Sequence, residues 1–300
     1  MFHFMSSLSK VAAVALCAVL CSAAPTHAET VYEFDKVTIE REGEGRPIFF
    51  VPGLSSSPAV FDNAVKNVEG DISKVQIAGF AGTPPSKTKT TGAVVQPVAD
   101  GLSEFIDTND LRNVALVGHS LGGVVSLLAA SQNDRVTDVL IIDAVPFLPA
   151  LFNPRATPES AAASRSALRA QMDATADSQY LAIARQGLAR QAISEEARAY
   201  VYADVERSDL ATVKTAFVEL MTTDYSAVLS TISANITVLV PFDPTIGFQK
   251  EAVSSIYAAQ YAGHPNVNIR MIEGSRHFIM LDAPEAFASQ LSSFLEPEGE

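Results

Sequence analysis

Tryptophan is absent from this 300-residue chain, cysteine occurs twice, histidine five times, and Lys plus Arg number 21 against 34 Asp plus Glu. Each shortage excludes something. The deficit of bases leaves a formal charge of −13, and the Lys and Arg are scattered. Polyanion binders carry a basic face, so nucleic acid and anionic membrane surfaces are not expected partners. Two cysteines cannot staple a domain of this size or fill a thiolate metal site. No run of 18 uninterrupted apolar residues occurs, so no spanning helix is expected. At 48% apolar and 18% charged, the chain is nevertheless too hydrophobic for disorder and long enough for a large core.

The N-terminus changes this arithmetic. Lys10 precedes an apolar stretch, Val11 to Ala24, followed by Pro25-Thr26-His27-Ala28. One positive charge, a hydrophobic core too short to cross a bilayer and small residues before Glu29 predict a secretory signal peptide over residues 1–28, cleaved near Ala28. The product would be periplasmic or secreted, without stable membrane insertion. Removing 28 of 300 residues leaves 272, with both cysteines gone and only His119, His264 and His277 as imidazoles.

Short apolar runs alternate with helical stretches from there on. Val31 to Glu40 suits an edge hairpin. Ile48 to Val51, Val75 to Ala78, Val114 to Val117 and Val136 to Ile142 read as buried strands, with helices over Asp100 to Ile106 and Leu121 to Ala130. The pattern predicts an α/β fold with a mostly parallel, doubly wound sheet covered on both faces. Strand-like runs then stop. Residues 149–235 are rich in Ala, Arg, Gln and Glu with apolar residues at helical spacing, as at Leu181 with Leu188 and at Val213, Phe217, Leu220 and Met221. This predicts an inserted helical cap between a first core part, 29–148, and a second, 236–300. In the second part, Ile236 to Val240 and Val267 to Ile272 read as strands, and Glu251 to Ala262 and Pro284 to Leu295 as helices.

Gly118-His119-Ser120-Leu121-Gly122 fits G-x-S-x-G between a buried strand and a helix. In that setting the turn is so tight that only Gly118 and Gly122 tolerate its crowding, and the serine hydroxyl is lifted out at a helix N-terminus. Ser120 is therefore the candidate nucleophile. In an open parallel sheet the reactive crevice lies at the carboxyl ends of the strands. His264 precedes its strand and lies at the wrong end, whereas His277 follows it at the right one and is the candidate base. His119 reads as a packing residue of the turn. The acid that orients the base should also leave a strand at this end. Asp243 is favoured, because it gives the order Ser, Asp, His and begins an Asp-Pro-Thr turn. Asp143 also meets the positional requirement. Asp282-Ala-Pro-Glu285 reads as a capping box. Two backbone N–H groups should stabilise an oxyanion: that of Leu121, and that of Leu54 in the Pro52-Gly53-Leu54-Ser55 loop after a strand.

From about Ile48 to the C-terminus the sequence resembles the α/β-hydrolase superfamily: an oxyanion loop, the Gly-His-Ser-Leu-Gly-Gly elbow, a helical cap, an Asp after the next strand, and His277 ahead of Pro284-Glu285. Pro52 departs from the His that many members carry before the oxyanion Gly. Ser120 sets the chain apart from branches with an Asp nucleophile. The resemblance implies a serine hydrolase of the esterase and lipase type, expected to act on a carboxylic ester of a small to medium, mostly apolar acyl compound without a metal or organic cofactor. The alternatives are other triad chemistry (lactone, amide or carbon–carbon bond hydrolysis, or cofactor-free perhydrolysis) and a hydrolase-like binding protein with little turnover.

Overall fold

A computed structural model of the chain describes residues 30–33, 36–87 and 93–296. The predicted signal peptide lies outside the described residues. Eight strands, β1 (Thr30–Glu33), β2 (Val37–Gly43), β3 (Pro47–Val51), β4 (Asp71–Ile77), β5 (Val114–His119), β6 (Val136–Ile142), β7 (Asn235–Phe242) and β8 (Val267–Glu273), form one sheet in the order β1-β2-β4-β3-β5-β6-β7-β8. The hairpin β1–β2 is antiparallel and β2 runs antiparallel to β4, while β3 to β8 are mutually parallel. All five residues of β3 and all six of β5 are buried. This is why their sequences are continuous apolar runs rather than alternating ones.

Helix α1 (Asp62–Val65) follows β3, α2 (Val95–Thr108) follows β4, and α3 (Leu121–Gln132) follows β5. Between β6 and β7 run α4 (Pro149–Phe152), α5 (Pro158–Ala174), α6 (Asp177–Gly187), α7 (Glu195–Arg207) and α8 (Leu210–Thr222). The chain closes with α9 (Lys250–Gln260), α10 (Ile279–Asp282) and α11 (Pro284–Leu295). Two hydrophobic clusters cover the two faces of the sheet. One joins α2 and α3 to residues such as Phe49, Leu116 and Ile141; the other joins α11 to Phe50, Val117 and Leu140.

The helical segment is not uniformly attached. α8 contributes Val213, Ala216 and Leu220 to the core on the α2 and α3 side. Its buried Glu219 accepts the N–H groups of Val94 (2.6 Å) and Val95 (3.1 Å), so a carboxylate from another element caps the start of α2. By contrast, α5 buries only Ala161 and α6 buries no residue completely.

Candidate active site

The carboxyl ends of four adjacent strands each lead into a non-glycine residue with positive φ: Ala81 (49°) after β4, Ser55 (61°) after β3, Ser120 (53°) after β5 and Asp143 (46°) after β6. L-residues rarely adopt this conformation, and it persists only where the surroundings enforce it. At Ser120 the enforcement is visible. A Cβ on Gly118 would lie 2.4 Å from the Gly122 carbonyl oxygen, and one on Gly122 would lie 2.1 Å from that of Val51. Side chains are thus excluded at both flanking positions, and β5 turns directly into α3 with Ser120 at the bend.

Gly53 also brings the loop after β3 close to this turn, since a Cβ there would lie 2.9 Å from His119 Nδ1 and 3.1 Å from Ser120 Cβ. The N–H groups of Leu54 and Leu121, the two expected oxyanion donors, donate to no acceptor among the described residues. The loop is held from the helical segment. Asp204 of α7, itself buried, accepts both the N–H (2.9 Å) and the hydroxyl (2.8 Å) of Ser57.

His277 follows β8. Its Nδ1 lies 2.5 Å from Oδ2 of Asp143. Because a carboxylate only accepts, Nδ1 carries the proton and Nε2 of the neutral ring is left as an acceptor, the tautomer a general base needs. Neither Nε2 nor Ser120 Oγ has a hydrogen-bond partner among the described residues. The His277 ring packs against that of His119, centroids 4.5 Å apart, and His119 Nε2–H donates to the His277 carbonyl oxygen at 3.0 Å. His119 therefore ties the loop after β8 to the serine turn. Burial, reinforced by the neighbouring His277, pushes its pKa well below the usual imidazole range, so it stays neutral.

The structure corrects two expectations. Asp243 does not meet His277. One of its oxygens accepts the N–H (2.9 Å) and hydroxyl (2.7 Å) of Thr245, and the other accepts Nε of Arg276 at 2.7 Å. Those Thr245 bonds, with Arg276 adding to them, hold its pKa below the ordinary carboxylate value. Asp143, one strand earlier, takes the place beside the imidazole. The Asp-Pro-Thr turn that favoured Asp243 in the sequence uses the Asp243 side chain to cap itself, and Arg276, immediately before His277, takes its other oxygen. Second, Asp282 is not a helix cap. It ends α10 and accepts the N–H of Arg276 (2.9 Å) and of Ile193 (2.8 Å), tying the loop after β8 to the helical segment. His264, as expected, is away from this end. It is buried, donates from Nε2 to the Ile232 carbonyl oxygen at 3.2 Å and accepts the Asn266 N–H at Nδ1.

Residues 48–290 match the model of the alpha/beta hydrolase family. The chain belongs to this family. Among solved structures, this alpha/beta hydrolase is similar to a thermophilic esterase from Thermogutta terrifontis, at a TM-score of 0.69 with 17% identity over 89% of this chain and 98% of the esterase. It is also similar to the N-acyl homoserine lactonase AidH, at a TM-score of 0.67 with 16% identity over 92% of this chain and 100% of that one. At these identities the likeness is one of fold. A 2-(acetamidomethylene)succinate hydrolase of Mesorhizobium japonicum is 28% identical over 113 residues, 37% of this chain and 40% of the relative's length. The chain thus matches about two fifths of that relative. Sequence reasoning missed two side chains around this alpha/beta hydrolase's site, Asp204 and Tyr257. Each acts across a long sequence separation, so no local pattern marks it.

Proposed function

We propose that the protein is an exported serine hydrolase that cleaves a carboxylic ester of a small to medium, mostly apolar acyl compound through an acyl-enzyme. The observation that carries this reading is the 2.5 Å contact of His277 Nδ1 with Asp143 beside the strained Ser120 turn. Ser120 attacks the carbonyl while His277 Nε2 takes its proton, and the developing imidazolium is offset by Asp143. Negative charge forming on the carbonyl oxygen is met by the N–H groups of Leu54 and Leu121. The proton then passes from His277 to the departing alcohol, and water repeats the sequence in reverse. The helical segment acts as a cap, with half-buried Leu181 and Phe217 enclosing the acyl group and excluding water. No cofactor enters these steps.

A lactone is a cyclic ester open to the same chemistry, and the likeness to lactonases as well as esterases supports testing both. Fluorophosphonate labelling of the mature protein, followed by a panel of esters and lactones of increasing acyl length, is the test. Modification at Ser120 and turnover abolished in Ser120→Ala are expected. Full turnover in Ser120→Ala would refute the mechanism, and a folded protein inert to both reagents would instead be a hydrolase-like binding protein. Export predicts that the product recovered outside the cytoplasm begins at or near Glu29.

A further inference from the structure

Tyr257, on α9, and Tyr261, just past the last residue of that helix, lie four residues apart and present their hydroxyls to the same stretch of chain. Tyr257 Oη donates to Oδ1 of Asp143, the oxygen that His277 does not use. Tyr261 Oη donates to the carbonyl oxygen of Ala144 at 2.8 Å. A third bond, from the Asp143 N–H to the Leu239 carbonyl oxygen at 2.9 Å, completes the hold on a turn whose φ is 46°. Both rings are buried, at 4% and 1% exposure, so for packing alone phenylalanine would serve and spare the cost of burying a hydroxyl. Burial, with the Asp143 charge adding to it, pushes ionisation of Tyr257 well above the usual phenol range, so its oxygen always presents a proton to Asp143.

Building on the hydrolytic reading above, we propose that Tyr257 is a positioning residue of the reaction: its hydroxyl fixes the Asp143 carboxylate and tempers the negative charge that the His277 ring meets. The other groups around His277 do not supply this. His119, from β5, is neutral and bonds the His277 carbonyl oxygen. Arg276, on the same loop, is paired with Asp243 and Thr245, while Asp282 accepts the Arg276 N–H. Tyr261 serves the backbone of Ala144. Without the Tyr257 hydroxyl the carboxylate keeps more charge and more freedom, so the imidazole holds its proton to higher pH and is less well aimed.

The test compares Tyr257→Phe with Tyr261→Phe. In Tyr257→Phe, kcat falls roughly tenfold, the scale of one hydrogen bond to a charged group, KM changes little, and the acidic limb of kcat/KM moves to higher pH. Tyr261→Phe lowers the melting temperature but leaves that limb in place. The midpoint at which the His277 ring takes up its proton, followed by NMR, moves upward with Tyr257→Phe whether or not substrate is turned over. A protein that shows this shift but does not react with fluorophosphonate would sink the hydrolytic reading and keep the Tyr257 contact. Should Tyr257→Phe fail to fold, 3-fluorotyrosine incorporated into Tyr261→Phe strengthens the phenol as a donor and shifts the midpoint downward. An unmoved limb and midpoint in Tyr257→Phe, or an unmoved midpoint with fluorotyrosine, overturns the proposal.

Discussion

β6 and β7 are neighbours, run the same way, and each delivers an aspartate at its carboxyl end within a residue of the last strand position. The two aspartates have opposite surroundings. Asp143 sits in a left-handed turn between a tyrosine hydroxyl and an imidazole, with no fixed cation bonded to it among the described residues. Asp243 sits in extended backbone, caps its own turn and is neutralised by Arg276, with both side chains largely buried. A carboxylate already shared between a hydroxyl, an N–H and a guanidinium has little left to offer an imidazole. Position at the right end of the sheet therefore does not by itself pair an aspartate with His277; of the two, the one with no bonded cation among the described residues meets the imidazole.

The comparison can be broken most sharply by removing one charge at a time. In Asp143→Asn the amide cannot accept His277 Nδ1–H as a carboxylate does, and kcat on an activated ester should fall by roughly 10³ to 10⁴, the cost of losing the correct tautomer in a triad. Asp243→Asn keeps an oxygen for Thr245 and should cost far less activity. A large loss for Asp243→Asn with Asp143→Asn near the parent would reverse the assignment. Next in size, Arg276→Met strands Asp243 as a buried, uncompensated charge and should destabilise the fold by about 3 kcal/mol in chemical denaturation. Arg276→Met combined with Asp243→Leu should recover much of that loss, and its absence in the double variant would show that the pair's value lies elsewhere, for instance in the Arg276 bond to the Ala189 carbonyl oxygen.

The smallest effect is in pH dependence. Because the Asp243 pKa is lowered on folding, its contribution is fully present above the unfolded value, near pH 4, and disappears as pH falls through the lower folded value. Stability profiles of the parent should therefore fall more steeply below about pH 4 than those of Asp243→Asn, and parallel profiles would contradict this.

The sheet was legible because its signals are local. Strands buried on both faces must be apolar throughout, so Ile48 to Val51 and Val136 to Ile142 announced themselves, and the glycines around Ser120 marked a turn that no other residue fits. His277 could be singled out because the sequence has only five histidines and topology separates His264 from His277. The acid was not legible in the same way. Whether Asp143 or Asp243 meets the imidazole depends on which of them Arg276 claims and on a tyrosine 114 residues away from Asp143, and strand order constrains neither. Capping by Glu219 and the grip of Asp204 on Ser57 escaped for the same reason, since each joins segments more than a hundred residues apart.

The missing side chain at Gly122 has a consequence for how such a site can diversify. Because α3 begins with its backbone against the Val51 and Pro52 carbonyls, the separation between the serine turn and the loop carrying Leu54 is set by main chain touching main chain. Substitutions elsewhere would then leave that spacing alone, so the helical segment can vary in sequence while the two main-chain segments keep their distance. Changes at Gly122 itself are the exception, as they would pry the serine turn and the Leu54 loop apart.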